Sequence, residues 1–164
     1  MGFTVRLAER RDAEAIRAIY NVEVAEATAT FDLVPRTLDE QVDWIAGHSG
    51  AHPAIVATDE TGEVVGFASL SPFKERPAYA TTVEDSVYVR RDRGGQGIGR
   101  LLLDELLRLS REHGFHSVMA RIVGNHDASI ALHRACGFEL VGTEREVGRK
   151  FGRWLDVAEM QRML

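Results

Sequence analysis

The order of elements in this 164-residue chain predicts a mixed α/β (α+β) domain, with a central, mostly antiparallel sheet and helices on both faces. Three observations predict it. Segments of period-2 hydrophobicity alternate with segments of period 3.6. Short strands joined by turn residues follow one another before the midpoint, which favours antiparallel neighbours. Beyond the midpoint come a strand, a glycine-rich loop, a helix and a strand, and a strand–helix–strand unit pairs its two strands in parallel. No composition shift, proline-rich linker or repeat divides the chain, so residues 1–164 are expected to form one domain.

Thr4–Leu7 reads as a short strand. From Asp12 the pattern turns helical, with Ile16, Ile19 and Tyr20 on one face and Glu14 and Arg17 opposite. The helix is expected to fray before residues 27–31, where Thr28 and Thr30 interrupt it. Thr37-Leu38-Asp39-Glu40 is a capping box, which starts a second helix running to about Ala46. Ala54–Thr58 and residues 64–71 read as strands, and Asp59-Glu60-Thr61-Gly62 between them is turn chemistry, so the two form a hairpin. Residues 81–89 are another strand, and a long helix follows the glycines and ends at Gly114. Ser117–Val123 is a strand, 128–136 a short helix stopped by Gly137, and 138–144 and 154–160 are the last two strands.

The apolar fraction is 45% and the charged fraction 27%, enough for a sizeable core and wrong for a disordered chain. A formal charge of -5 argues against nucleic acid as the main partner, because phosphate binding needs a basic footprint. Of the 20 basic residues only Lys74 and Lys150 are lysine. The single cysteine, Cys136, rules out an internal disulfide and a cysteine-based zinc site, and is expected to be buried packing. The six histidines are scattered, with no ligand spacing, so no metal is expected. The N-terminus lacks the apolar core of a signal peptide, Arg6 breaks the myristoylation pattern, and no run is apolar enough to span a membrane. The expected location is cytoplasmic.

The sharpest feature is Val87-Tyr88-Val89 followed by Arg93-Gly94-Gly95-Gln96-Gly97-Ile98-Gly99-Arg100. Glycines leave backbone N–H groups uncovered and allow them to curl around an anion. The helix that follows offers its positive end, so strand, loop and helix start together make a pyrophosphate site. Arg93 and Arg100 stand at its rim. A P-loop needs Gly-Lys-Ser/Thr, and here Gly99 is followed by Arg100-Leu101. A dinucleotide fingerprint needs a third glycine that Arg100-Leu101-Leu102 does not supply. Coenzyme A is the pyrophosphate carrier left.

The loop resembles the signature of the GCN5-related N-acetyltransferase (GNAT) superfamily: a strand, then Gln/Arg-x-x-Gly-x-Gly/Ala, then a helix. Gly97-Ile98-Gly99 fill the last three positions, while Gly94 takes the leading one and Arg93 stands one residue early. The string from Ala128 to Gly137-Phe138 is similar to the superfamily's late helix. Residues 144–161, including Gly148-Arg149-Lys150-Phe151-Gly152-Arg153-Trp154, resemble the phosphinothricin and methionine sulfoximine acetyltransferase branch.

That resemblance implies acetyl-CoA as co-substrate, a small amino acid or analogue as acetyl acceptor, and a homodimer. It places the cofactor on Val87, Tyr88 and Val89, on Gly94, Gly95, Gln96, Gly97, Ile98, Gly99 and Arg100, and on Asn125, His126 and Ser129. It makes Glu84 the general base, on a strand face shared with Ser86 and Tyr88, although pattern alone also fits a glutamate facing water. His133 stands where many members carry a tyrosine that protonates the departing thiolate, so it is an acid, a polar positioner or a core histidine. Phe31, Lys74, Arg76 and Tyr79 are the expected acceptor residues, since a cation and an aromatic ring suit a zwitterionic amino acid. Another amine, or a non-catalytic acyl-CoA-binding module, stays open at this point.

Overall fold

The computed structural model describes residues 2–124 and 126–164. Its elements follow the expected order: β1 (Thr4–Leu7), α1 (Ala13–Glu26), α2 (Leu38–Ala46), β2 (Ala54–Thr58), β3 (Val64–Pro72), β4 (Thr82–Val89), α3 (Ile98–Glu112), β5 (Ser117–Val123), α4 (Asp127–Ala135), β6 (Glu139–Lys150) and β7 (Arg153–Met163). The Thr37 hydroxyl accepts the Glu40 N–H at 3.1 Å and so caps α2, one half of the expected capping box, while the Glu40 carboxylate accepts from the Thr37 hydroxyl at 3.1 Å.

One seven-stranded sheet runs in the order β1-β2-β3-β4-β5-β7-β6. Every neighbouring pair is antiparallel except β4 and β5. On one face, α3 buries Leu102, Leu103, Leu106 and Leu107 against Ile55, Ala68, Val83 and Val118. On the other, Ile16, Ile19, Tyr20 and Val24 of α1 and Ile45 of α2 close over Val56, Val64 and Phe67. The mixed sheet with helices on both faces is therefore as expected.

The parallel pair is the feature that matters for function. β4 and β5 share only three register positions, Thr82↔Ser117, Val83↔Val118 and Glu84↔Met119. Beyond Glu84 they part, although each keeps its other neighbour: β3 pairs along β4 to Val89, and β7 pairs along β5 to Val123. The sheet is split by a wedge that opens toward the glycine loop.

The end of the chain departs from expectation. The sixth strand runs six residues past Glu144, to Lys150, and forms a long hairpin with β7. A register break between Glu144 and Gly148 carries Glu146 at φ 53°, and the Glu146 N–H is bonded to Asp156 Oδ1 at 2.8 Å. Phe151 and Gly152, at φ 53° and 70°, make the tight turn. Two positive φ angles are what a two-residue type I′ hairpin needs. The polar run from Arg145 to Lys150 hid this strand because an edge strand has no second neighbour demanding apolar alternation.

Candidate active site

The wedge encloses a cavity of about 540 Å³. β4 lines it from Glu84 to Val89, β5 with Arg121, Ile122 and Val123, and α4 with Ala128, Ser129 and His133. Tyr20 and Glu23 of α1, with Thr30 and Phe31 of the loop after it, close the remaining side.

Backbone parity decides what β4 offers. The Arg90 N–H bonds the Val65 carbonyl at 2.9 Å, and the two strands keep a constant register from there. In an antiparallel pair, hydrogen-bonded positions alternate. The N–H and C=O groups of even-numbered residues of β4 therefore face β3 and those of odd-numbered residues face β5; the Glu84↔Met119 pairing takes up the Asp85 N–H, and the groups of Val87 and Val89 face the wedge. Because the wedge has no strand in it, these groups are open to an extended ligand. Tyr88, grouped above with Val87 and Val89 as a cofactor contact, turns its N–H to β3 and meets the cavity through its ring, which stacks on Phe67 at 5.2 Å.

The glycine loop sits at the open end. Gly95 and Gly97 hold φ of 74° and 82°, and Gly97 is the N-cap of α3. A Cβ on either would meet nothing within 4 Å, so their uncovered backbone faces open space. Gly99 differs: it lies in the first turn of α3, and a Cβ there would come 3.2 Å from Leu132. Its smallness lets α4 approach α3, which is a packing role. Ile98 offers only its backbone, since its side chain is buried in the core. Gly94, Gln96 and Arg100 are exposed and none of residues 94–100 lines the cavity itself; Arg100 pairs with Asp104 at 3.0 Å and Arg93 turns to Asp59 at 3.0 Å.

Glu84 sits at the apex of the wedge. Burial raises its carboxyl pKa; the charge of Arg121 pulls the other way, and Asp85 and Glu159 add to the rise. Arg121, which sequence reasoning missed, shares a face with Met119, the register partner of Glu84, and pairs with Glu144 at 2.8 Å. No local pattern marks it, because its role depends on which strand lies beside β4.

Asp85 points to the opposite face and is buried there against His133. His133 Nδ1 meets the Ser129 carbonyl at 2.7 Å and its Nε2 meets both Asp85 oxygens at 3.0 and 3.1 Å. Both ring nitrogens are engaged, so neither is free to face a leaving group. His126 lines the cavity and reaches the Thr28 hydroxyl at 3.2 Å. Asn125 lies outside the described residues.

Of the expected acceptor residues, Phe31 lines the cavity and Lys74, Arg76 and Tyr79 do not. Those three lie on the exposed loop between β3 and β4, where Lys74 Nζ stands 5.3 Å from the Tyr79 ring. That loop leads into the Glu84 end of β4, opposite the glycine loop. Cys136 is buried and its thiol is pushed up to about 11, which leaves it an unreactive packing residue. Among the described residues no three His, Cys, Asp or Glu side chains gather as a metal site, and no helix is long and apolar enough to cross a membrane.

The split parallel pair lies beside a glycine-capped helix, and comparison with known proteins shows which family shares this fold. Residues 5–158 match the family model described as Acetyltransferase (GNAT) domain. This chain belongs to the GNAT acetyltransferase family. Within that family, the GNAT chain is 43% identical over 163 residues to the phosphinothricin N-acetyltransferase of Streptomyces coelicolor, covering 98% of this chain and 95% of that one. It is 41% identical over 162 residues to the L-methionine sulfoximine/L-methionine sulfone acetyltransferase of Pseudomonas aeruginosa PAO1, covering 98% and 94%. The crystal structure of a GNAT superfamily phosphinothricin acetyltransferase from Sinorhizobium meliloti in complex with AcCoA superposes with a TM-score of 0.96. It is 43% identical, and the match covers 100% of this chain and 89% of that one.

Proposed function

We propose that this GNAT enzyme moves the acetyl group of acetyl-CoA to the amino group of a small amino acid of the phosphinothricin or methionine sulfoximine type. The observation that carries the reading is the unpaired inner edge of β4, with Gly95 and Gly97 at one end and the half-buried Glu84 at the other. An extended pantetheine arm completes such an edge as a strand would, through Val87 and Val89. The phosphates fit the uncovered N–H groups of the loop and the positive end of α3. Bound there, acetyl-CoA supplies an activated thioester.

Glu84 is the proposed base. The amine must lose a proton to attack, and a carboxylate raised by burial accepts one closer to neutral pH than a solvated one. An N–H of the open β4 edge is suited to the negative charge that grows on the thioester oxygen. As the N–C bond forms and the C–S bond breaks, coenzyme A leaves as its thiolate with the C–S electron pair; the amine proton goes to Glu84, and proton exchange with solvent restores the carboxylate and protonates the thiolate. His133 serves in this reading as a clamp that fixes α4 to β4, because Asp85 and Ser129 occupy its nitrogens. Phe31 would meet the acceptor side chain, and Lys74, Arg76 and Tyr79 would bind its carboxylate from the rim of the loop before β4. Ser129 and His126 line the cofactor side.

The finer expectations of a cytoplasmic homodimer that needs no metal rest on the resemblance. The dimer gains support from Leu140, Val141 and Val147, apolar residues exposed on the edge strand β6. Free thiol release from acetyl-CoA across a panel of amines tests the activity. Turnover of phosphinothricin and methionine sulfoximine is expected. Silence with both, alongside acetylation of an aminoglycoside or a peptide N-terminus, would keep the enzyme class and overturn the substrate.

A further inference from the structure

Lys150 is the last residue of β6, 120 positions beyond Thr30 in sequence, and its side chain reaches into the interior. Only 3% of it is exposed. Its ammonium donates to the Thr30 carbonyl at 2.9 Å and lies 3.5 Å from the Glu23 carbonyl. Among the described residues no carboxylate stands within ion-pair distance of it. A buried ammonium held by carbonyls is costly to desolvate, so the position is not explained as generic packing. Burial lowers the lysine's pKa, while the charges of Asp32 and Glu23 hold it up.

Gly148, two residues earlier on the same face of β6, makes the second half of the device. A Cβ there would stand 2.2 Å from Phe31 Cζ, so the Phe31 ring rests directly on bare backbone. One face of β6 therefore grips two consecutive residues: the ammonium takes the Thr30 carbonyl and Gly148 seats the Phe31 ring. The Thr30 hydroxyl adds a bond to the Tyr20 hydroxyl at 2.9 Å and one from the Asp32 N–H at 3.1 Å. Thr30 and Phe31 both line the cavity, whereas Lys150 does not.

We infer that Lys150 is a positioning residue for the acceptor side of the cavity, acting through the Thr30 carbonyl to hold the Phe31 ring on Gly148. The inference rests on the proposed function. It also explains a choice of residue: in a chain that uses arginine almost everywhere, this site takes the compact ammonium on a flexible stem in place of the planar fork.

The test uses the full chain and the variants Lys150→Met, Gly148→Ala, Phe31→Ala and Lys150→Met/Phe31→Ala. Lys150→Met keeps the stem and removes the donors. It is expected to speed amide exchange in residues 27–32 and to leave acetyl-CoA affinity by calorimetry unchanged. The amine KM should rise roughly tenfold with kcat little altered, as for a misplaced binding wall. Gly148→Ala should raise the amine KM with the ammonium intact, which keeps the inference testable if Lys150→Met folds poorly. If Lys150 acts through Phe31, the double variant is no worse in amine KM than Phe31→Ala. An unchanged amine KM in Gly148→Ala, additive penalties, or an equal loss of acetyl-CoA affinity would overturn the inference. Exchange is read without any substrate, so a parent that acetylates neither amino acid defeats the proposed function alone. Unchanged exchange in Lys150→Met defeats the positioning role alone.

Discussion

His133 and Asp85 form a buried hydrogen-bonded pair that ties α4 to β4 across the wedge, 48 residues apart in sequence. Burial by itself pulls the imidazole pKa down. The Asp85 hydrogen bond and charge, with the Ser129 carbonyl, outweigh it, and the net shift is upward. The pair stands at the point where β4 and β5 separate, so its stability bears directly on the shape of the cavity.

The pair makes stability depend on pH in a fixed direction. A raised folded pKa means the native state holds the His133 proton more tightly than the unfolded chain does. Its contribution is complete below the ordinary value of 6.5 and is lost as pH rises through the raised one. Asp85→Asn should cost about 3–5 kcal/mol at pH 6, as removal of one partner of a buried pair does. Urea unfolding at pH 6 and pH 9 checks it: the gap between parent and variant should narrow at the higher pH, and parallel behaviour would refute a charged His133 in the pair.

Glu84→Gln should leave acetyl-CoA binding intact and lower kcat by about two to four decades. The acidic limb of the parent's pH–rate profile should vanish with it, because that limb reports the base losing activity as it protonates. Burial of a charged carboxylate also costs stability above its raised pKa. The glutamine variant is therefore expected to melt slightly higher at pH 7, an advantage that fades as the parent's Glu84 protonates in acid.

Gly97→Val should weaken acetyl-CoA affinity, measured by calorimetry on folded protein. The substitution strains a residue at φ 82° and covers the backbone at the start of α3. Gly99→Val should instead lower the melting temperature, because its side chain would push on Leu132. Undiminished affinity in Gly97→Val would sink the pyrophosphate assignment.

Arg76→Ala is expected to raise the KM for the amino-acid acceptor about ten- to a hundred-fold, the loss of a charge-assisted pair of roughly 1.5–3 kcal/mol. The KM for acetyl-CoA should hold. Steady-state kinetics with both substrates varied separates the two, and equal changes would remove Arg76 from the acceptor site.

Local chemistry was enough for much of this protein. Thr37 with Glu40 set the start of α2, Gly94, Gly95, Gly97 and Gly99 marked the loop proposed for the phosphates, and the alternation in residues 84–89 divided β4 into two faces. These features arise within a few residues, where period and capping act directly on the backbone. The separation of β4 from β5 beyond Glu84 is a tertiary outcome, and so are the approach of Arg121 to Glu84, the His133–Asp85 pair and the grip of β6 on Thr30 and Phe31. Each joins residues far apart in sequence, and a side chain carries no local sign of the distant strand or helix that will face it. The strand from Arg145 to Lys150 was hidden for the same reason: on a sheet edge its polar residues pair with β7 alone, and only the folded sheet shows that its last lysine turns inward.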